Sequence, residues 1–225
     1  MSDGRRDSSG TWQRDHPWAA VYDRISGDPH LGALLWRVGM GSSVEELHRR
    51  ARRELAAVPA GGTVLDLPCG GGVVLRDLPV DHALHYVAAD ISPAMLERTR
   101  GEAERLGVAA DVETRVADVE QLADADETYD LVLTFTSLHC FPDPEAAVAE
   151  MGRVLRPGGV VVGSTLLLDT GLRFAALRRV GRAAGLLGPM CTSDELVQWL
   201  TRAGVGSVTL EVSGALGYFR GVREA

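Results

Sequence analysis

The chain has 225 residues, 45% of them hydrophobic, enough to bury a core without help from disulfides or metals. Its 31 acidic residues outnumber 23 basic ones, and a net charge of −8 argues against a broad nucleic-acid face. All the basic residues counted there are Arg; with no Lys, Schiff-base and P-loop lysine chemistry are excluded.

Residues 1–15 (MSDGRRDSSGTWQRD) contain basic residues but no apolar run, so a disordered lead-in is expected rather than a secretory signal. Residues 16–225 are expected to form one domain, beginning with a helical extension over 16–60. That extension carries Trp18, Tyr22, Leu34, Leu35 and Trp36. It also carries His48, Arg49, Arg50, Arg52 and Arg53, flanked by Glu45, Glu46 and Glu54, which is the pattern of a solvated, ion-paired helix face.

From Thr63 onward, β-rich runs alternate with helical stretches, the pattern of an α/β domain with a mostly parallel sheet. The first strand is Thr63 to Leu67, and a glycine-rich turn leads from it into a helix. HYVAAD follows and ends on Asp90. Ser92 and Pro93 cap and open a helix that closes near Gly107. Val112 to Val116 is a third strand, and YDLVLTF, almost wholly apolar, a fourth that is buried on both faces. Asp143 and Pro144 open a helix that runs to Leu155 and stops at Arg156-Pro157-Gly158-Gly159. GVVVGSTLLL is the fifth strand.

A helical insertion over 166–190 places Leu172, Ala176, Leu177, Val180, Ala184 and Leu187 at near-helical spacing, with Arg178, Arg179 and Arg182 between them. Thr192 and Glu195 have capping-box spacing for a last helix ending near Gly204. SVTLEVS and LGYFRGVR are separated by a turn at Gly214 too short for a parallel crossover, so the last strand runs antiparallel. The predicted architecture is therefore a Rossmann-like, doubly wound α/β sheet, mostly parallel with an antiparallel last strand, plus the N-terminal helical extension.

Cys69, Cys140 and Cys191 are odd in number and form no CxxC pair. They suit a reducing compartment, and neither a metal site nor a disulfide framework follows from them. No apolar run approaches the length that spans a bilayer. A cytoplasmic protein without a membrane partner is expected, and its oligomeric state is left open.

The segment Val64-Leu65-Asp66-Leu67-Pro68-Cys69-Gly70-Gly71-Gly72 carries the functional signal. Small residues let a chain turn sharply at the carboxyl end of a strand, where open α/β sheets bind ligands. The nicotinamide fingerprint G-x-G-x-x-G does not fit: counted from Gly70 the sixth residue is Leu75, and counted two residues earlier the first is Pro68.

The spacing resembles instead the class I S-adenosylmethionine-dependent methyltransferase family, whose first motif reads D-x-G-x-G-x-G. Asp66, Gly70 and Gly72 match it, with Pro68 in place of the first glycine. Ala89-Asp90-Ile91-Ser92-Pro93-Ala94-Met95-Leu96 resembles the second motif, Ala117-Asp118-Val119 the third, and Tyr129 through Leu138-His139 to Asp143 the fourth-strand segment. Leu155-Arg156-Pro157-Gly158-Gly159 resembles the turn before the fifth strand.

The resemblance implies S-adenosylmethionine as cofactor, S-adenosylhomocysteine as product and a small, partly apolar acceptor. Asp90 would accept from the ribose hydroxyls. Ile91 and Met95 would line the adenine, with Asp118 accepting its amino group and the Val119 amide reaching a ring nitrogen. Asp66, Pro68, Cys69, Gly70 and Gly72 would flank the methionine end, with Phe135 beside it. The resemblance also implies that Tyr22 approaches the cofactor, with ordinary core packing as the alternative. His139 is the general-base candidate, with a hydrogen-bonded structural role as the alternative. The extension and the insertion are each either a lid or helices completing the core. An RNA or protein methyltransferase, or a module that binds the cofactor without turnover, are the competing functions.

Overall fold

In a computed structural model, residues 36–79, 83–183 and 187–225 are described. The expectations for the lead-in and for Tyr22 lie outside them. The seven strands are β1 (Thr63–Asp66), β2 (His85–Asp90), β3 (Val112–Val116), β4 (Tyr129–Phe135), β5 (Leu155–Leu166), β6 (Val205–Ser213) and β7 (Leu216–Arg223). They form one sheet in the order β3-β2-β1-β4-β5-β7-β6. The first five pair in parallel, and β7 runs antiparallel between β5 and β6. Leaving β1, the chain builds outward to β2 and β3, then returns to place β4 on the other side of β1. That reversal makes a crevice at the carboxyl ends of β1 and β4.

Both sheet faces are covered, because residues along a strand point alternately to either side. In β1, Val64 joins a core with Leu47, Ala51 and Leu55 of α1 (Val44–Ala57) and Leu96 and Ala103 of α2 (Pro93–Leu106). Its neighbour Leu65 joins the opposite core, with Ala147, Val148 and Met151 of α3 (Pro144–Val154) and Leu196 and Leu200 of α5 (Ser193–Arg202). Helix α4 (Ala175–Ala183) lies in the insertion.

Local signals set the helix ends. Ser92 caps α2 with Pro93 in its first turn, and Gly107 closes it with a left-handed φ of 74°. Thr192 and Glu195 form a complete capping box on α5. The turn at Gly214 joins the antiparallel hairpin.

Several boundaries differ from expectation. β1 ends at Asp66, and the glycine turn leads into a short 3-10 segment, Val73–Asp77, rather than an α-helix. β5 begins at Leu155, before the Arg-Pro-Gly-Gly turn, because Leu155 pairs with Tyr129 across a register irregularity in β4. β6 starts at Val205, two residues ahead of the predicted run.

The basic face of α1 divides. Arg49 and Arg50 pair with Glu46, and Arg50 also with Glu211, as a solvated face does. His48 departs from that face: it is buried, its Nδ1 2.5 Å from Asp77 Oδ2, while Arg52 reaches the other oxygen of Asp77. Helix periodicity places His48 one turn before the core residue Ala51 and two before Leu55, on the same face, which is why it turns inward.

Candidate active site

The crevice begins at Asp66, the last residue of β1, whose carboxylate is 2% exposed. It accepts a hydrogen bond of 2.7 Å from the Tyr86 hydroxyl. Burial pushes its pKa up to about 7; the Tyr86 hydrogen bond opposes that rise, and the neighbouring charge of Asp90 adds to it. Past Asp66 the loop leans toward β2, where the Cys69 N–H donates to the Ala89 carbonyl at 2.9 Å. The Leu67–Pro68 peptide is cis. Burial raises the Cys69 thiol pKa far above its ordinary range, so it is a small neutral turn residue.

Asp90, at the end of β2, organises this corner. One oxygen accepts the Gly70 N–H at 3.0 Å and the other the Ser92 N–H at 2.9 Å, so a single side chain ties the loop to the start of α2. The Thr99 hydroxyl donates to the Gly70 carbonyl at 2.7 Å and closes the ring of contacts. Burial raises the Asp90 pKa against the lowering effect of those backbone bonds.

Gly70 and Gly72 have left-handed φ values of 52° and 78°. A Cβ on Gly72 would sit 3.0 Å from Leu75 Cδ1 and 3.3 Å from Thr99 Cα; one on Gly70 would meet nothing within 4 Å. The loop is thus packed tightly beneath and open above. Ile91 and Met95 follow, both half-buried. At the end of β3, Asp118 is exposed and accepts the Glu120 N–H at 3.0 Å, while Val119 is buried.

On the β4 side, Phe135 is buried and the Thr136 N–H donates to Ser164 Oγ at 3.0 Å. His139 is 4% exposed; its Nδ1 accepts the Leu166 N–H at 3.1 Å and lies 3.2 Å from Thr165 Oγ1. With Nδ1 accepting, the ring proton sits on Nε2. Burial lowers the His139 pKa to about 4, so the ring is neutral. The His139 carbonyl takes the Gly188 N–H, joining the insertion to the end of β4.

The structure thus gathers Asp66, Pro68, Cys69, Gly70, Gly72 and Asp90 into one bonded loop, with Phe135 and His139 across the crevice. Tyr86 and Thr99 were not among the expected residues. Register carries a signal for Tyr86: Asp66 lies opposite Ala88, so Tyr86, two residues before Ala88, shares its face. A cavity of about 390 Å³ lined by Leu84, His85, Asp111 and Glu113 opens at the amino ends of β2 and β3, away from this corner. Among the described residues, no group of three or more His, Cys, Asp or Glu could hold a metal.

The donor set fits an adenosyl cofactor. Asp90 is a buried acceptor bonded to the loop, Asp66 can face a cation, and the open space beside the Gly70 Cα lets backbone approach a ligand closely.

A methyltransferase-domain family model matches residues 65–163. Among curated proteins, phosphatidylethanolamine N-methyltransferase of Cereibacter sphaeroides is 36% identical over 140 residues, 61% of this chain and 68% of that protein. The ubiquinone/menaquinone biosynthesis C-methyltransferase UbiE of Klebsiella pneumoniae is 33% identical over 122 residues, 53% of this chain but only 49% of that protein. Among solved structures, a Haemonchus contortus phosphoethanolamine N-methyltransferase in complex with S-adenosylhomocysteine superposes with a TM-score of 0.74. It covers 100% of this chain and 61% of its own, at 13% identity, a likeness of fold alone. The ordered motifs, the crevice they build and these relatives agree: the chain belongs to the class I S-adenosylmethionine-dependent methyltransferases.

Proposed function

We propose that this enzyme transfers a methyl group from S-adenosylmethionine to a small, partly apolar molecule. The observation that carries this is Asp90, a buried carboxylate at the end of β2 whose two oxygens hold the Gly70 and Ser92 amides of the glycine loop and the start of α2. A buried carboxylate keeps lone pairs beyond those two bonds, and ribose hydroxyls are suitable donors for them. Ile91 and Met95 would line the adenine, with Asp118 and the Val119 amide at its polar edge. Asp66, Pro68, Cys69, Gly70 and Gly72 would surround the methionine end, with Phe135 closing it from β4 and Tyr22 approaching from the extension.

The bound sulfonium supplies an already activated methyl group, so the protein's work is mainly orientation and exclusion of water, worth on the order of 7–11 kcal/mol in favourable systems. In the displacement the methyl–sulfur bond breaks as the acceptor–methyl bond forms, and the acceptor's proton, where it has one to lose, leaves to solvent or a base. We assign His139 a positioning role, holding the end of β5 through the Leu166 amide; acting as the base would require that bond to break.

The matched relatives are named as N- and C-methyltransferases, so the acceptor atom does not follow from them. Their names, one for a phospholipid and one for ubiquinone and menaquinone biosynthesis, support an acceptor with apolar character. The acidic balance disfavours nucleic acid, and free cysteines support a cytoplasmic setting. Among the described residues, no helix is long and apolar enough to cross a membrane.

Calorimetric titration with S-adenosylmethionine, S-adenosylhomocysteine and NAD tests the cofactor site. Micromolar binding of the first two, lost by a hundredfold or more in Asp90→Ala, is expected. Preference for NAD, or unchanged affinity in the variant, would overturn the proposal.

A further inference from the structure

Among the described residues, three that are not glycine have left-handed backbone: Glu127, Thr136 and Ser207. Glu127 precedes β4 at the far end of the sheet, and Ser207 lies in the pairing irregularity of β6. Thr136 is different on two counts. It stands immediately after β4, at the crevice, and it is β-branched, so its φ of 55° is sterically disfavoured.

The same residue carries a second cost. Thr136 Oγ1 is buried and has no hydrogen-bond partner. Its surroundings do not leave it free to relax. The Thr136 N–H is held by Ser164 Oγ, and the neighbouring hydroxyls of Thr134 and Ser137 lie 2.6 Å apart and satisfy each other. A strained backbone and an orphan hydroxyl coincide at Thr136. The other unpaired buried side-chain atom among the described residues, Arg223 Nε, lies at the far end of β7, so at the crevice it is Thr136 that calls for a partner arriving with a ligand.

Register locates that partner. Asp66 pairs with Leu133, and the Leu67 N–H donates to the Leu133 carbonyl. Leu67 is the first residue past β1 and Thr136 the first past β4, so the two flank the crevice between β1 and β4. On the function proposed above, on which this inference rests, the amino-acid end of the cofactor lies between them. That end carries an ammonium and a carboxylate. Asp66 suits the ammonium, and a hydroxyl donor suits the carboxylate.

We infer that Thr136 Oγ1 donates a hydrogen bond to the carboxylate of the bound cofactor, making Thr136 the polar contact from the β4 side. Calorimetry with two probes tests this: S-adenosylhomocysteine, which has the amino-acid end, and 5′-methylthioadenosine, which lacks it. Thr136→Val weakens S-adenosylhomocysteine tenfold or more and leaves methylthioadenosine within twofold; Thr136→Ser stays within threefold for both. Thr136→Gly, which relieves the backbone and folds without strain, loses affinity for the first probe as the valine variant does and gains Tm.

Equal S-adenosylhomocysteine affinity in wild type, valine and glycine variants overturns the assignment while the cofactor site stands. Equal losses for both probes also overturn it, because the effect then comes from a disturbed crevice. A wild-type chain that binds neither probe overturns the proposed function and this inference with it.

Discussion

The glycine loop after β1 and the insertion after β5 rise from the same end of the sheet but are held in different ways. In the loop, the polar groups around Asp66, Gly70 and Asp90 have named partners in β2 or α2, at 2.7 to 3.0 Å. The insertion is pinned at fewer points: Phe174 is buried, the Gly188 N–H donates to the His139 carbonyl, and Arg178 bonds within the insertion to Thr170 and the Leu167 carbonyl. Leu172 and Val180 stand in water, 91% and 66% exposed, although Met190 is buried and Leu177 and Leu187 pack against the core. A region built from directed bonds tolerates little change. One that leaves apolar surface in water has stability to spare there and is free to vary with the molecule it meets.

Substitutions can break or sharpen that contrast. The largest loss is expected from Gly72→Val, which adds a side chain at a φ of 78° against Leu75 and the Thr99 backbone. Urea unfolding should show a loss of about 3 kcal/mol, with cofactor affinity lost as well. An unfolding midpoint within error of wild type would mean the loop is looser than its contacts imply.

Asp66→Asn tests the electrostatic side of the loop. The pKa of Asp66 is raised to about 7 in the folded chain, from about 3.9 when unfolded. The folded state therefore holds a proton that the unfolded state gives up between those values. The stability this contributes is complete below about pH 4 and is lost as pH rises through 7. The variant should match wild type at pH 4 and exceed it by about 4 kcal/mol at pH 8, while binding cofactor more weakly. Equal stabilities at both pH values would show that Asp66 ionises freely.

The smallest change is expected in the insertion. Leu172→Ser and Val180→Ser should each alter stability by less than about 0.5 kcal/mol. If the insertion covers the acceptor, they raise the acceptor KM and leave S-adenosylhomocysteine affinity unchanged. A drop in Tm with no change in KM would instead place these helices in the core.

Much of the scaffold was legible in advance because its signals are local. The bounds of β2, β3 and β4 coincide with the β-rich runs that predict them. Ser92, Pro93, Gly107, Thr192 and Glu195 mark helix ends through bonds made within one turn. The antiparallel hairpin follows from a turn too short for anything else. What escaped depends on partners distant in the chain. His48 looks like part of a basic surface until α1 packs beside Asp77. The start of β5 at Leu155 needs Tyr129 as its partner.

For the site, the residue types and order of Asp66, Gly70, Gly72 and Asp90 are written in the sequence, since a close-approach loop and a charged acceptor demand particular side chains at particular spacings. How those groups are held is a tertiary matter. Strand register sets the Tyr86 hydroxyl on Asp66, splits Asp90 between two amides and occupies His139 Nδ1 with the Leu166 amide. Local periodicity chooses which residues can do chemistry; only the packed sheet, by excluding water and assigning each donor its acceptor, decides their protonation and their reach.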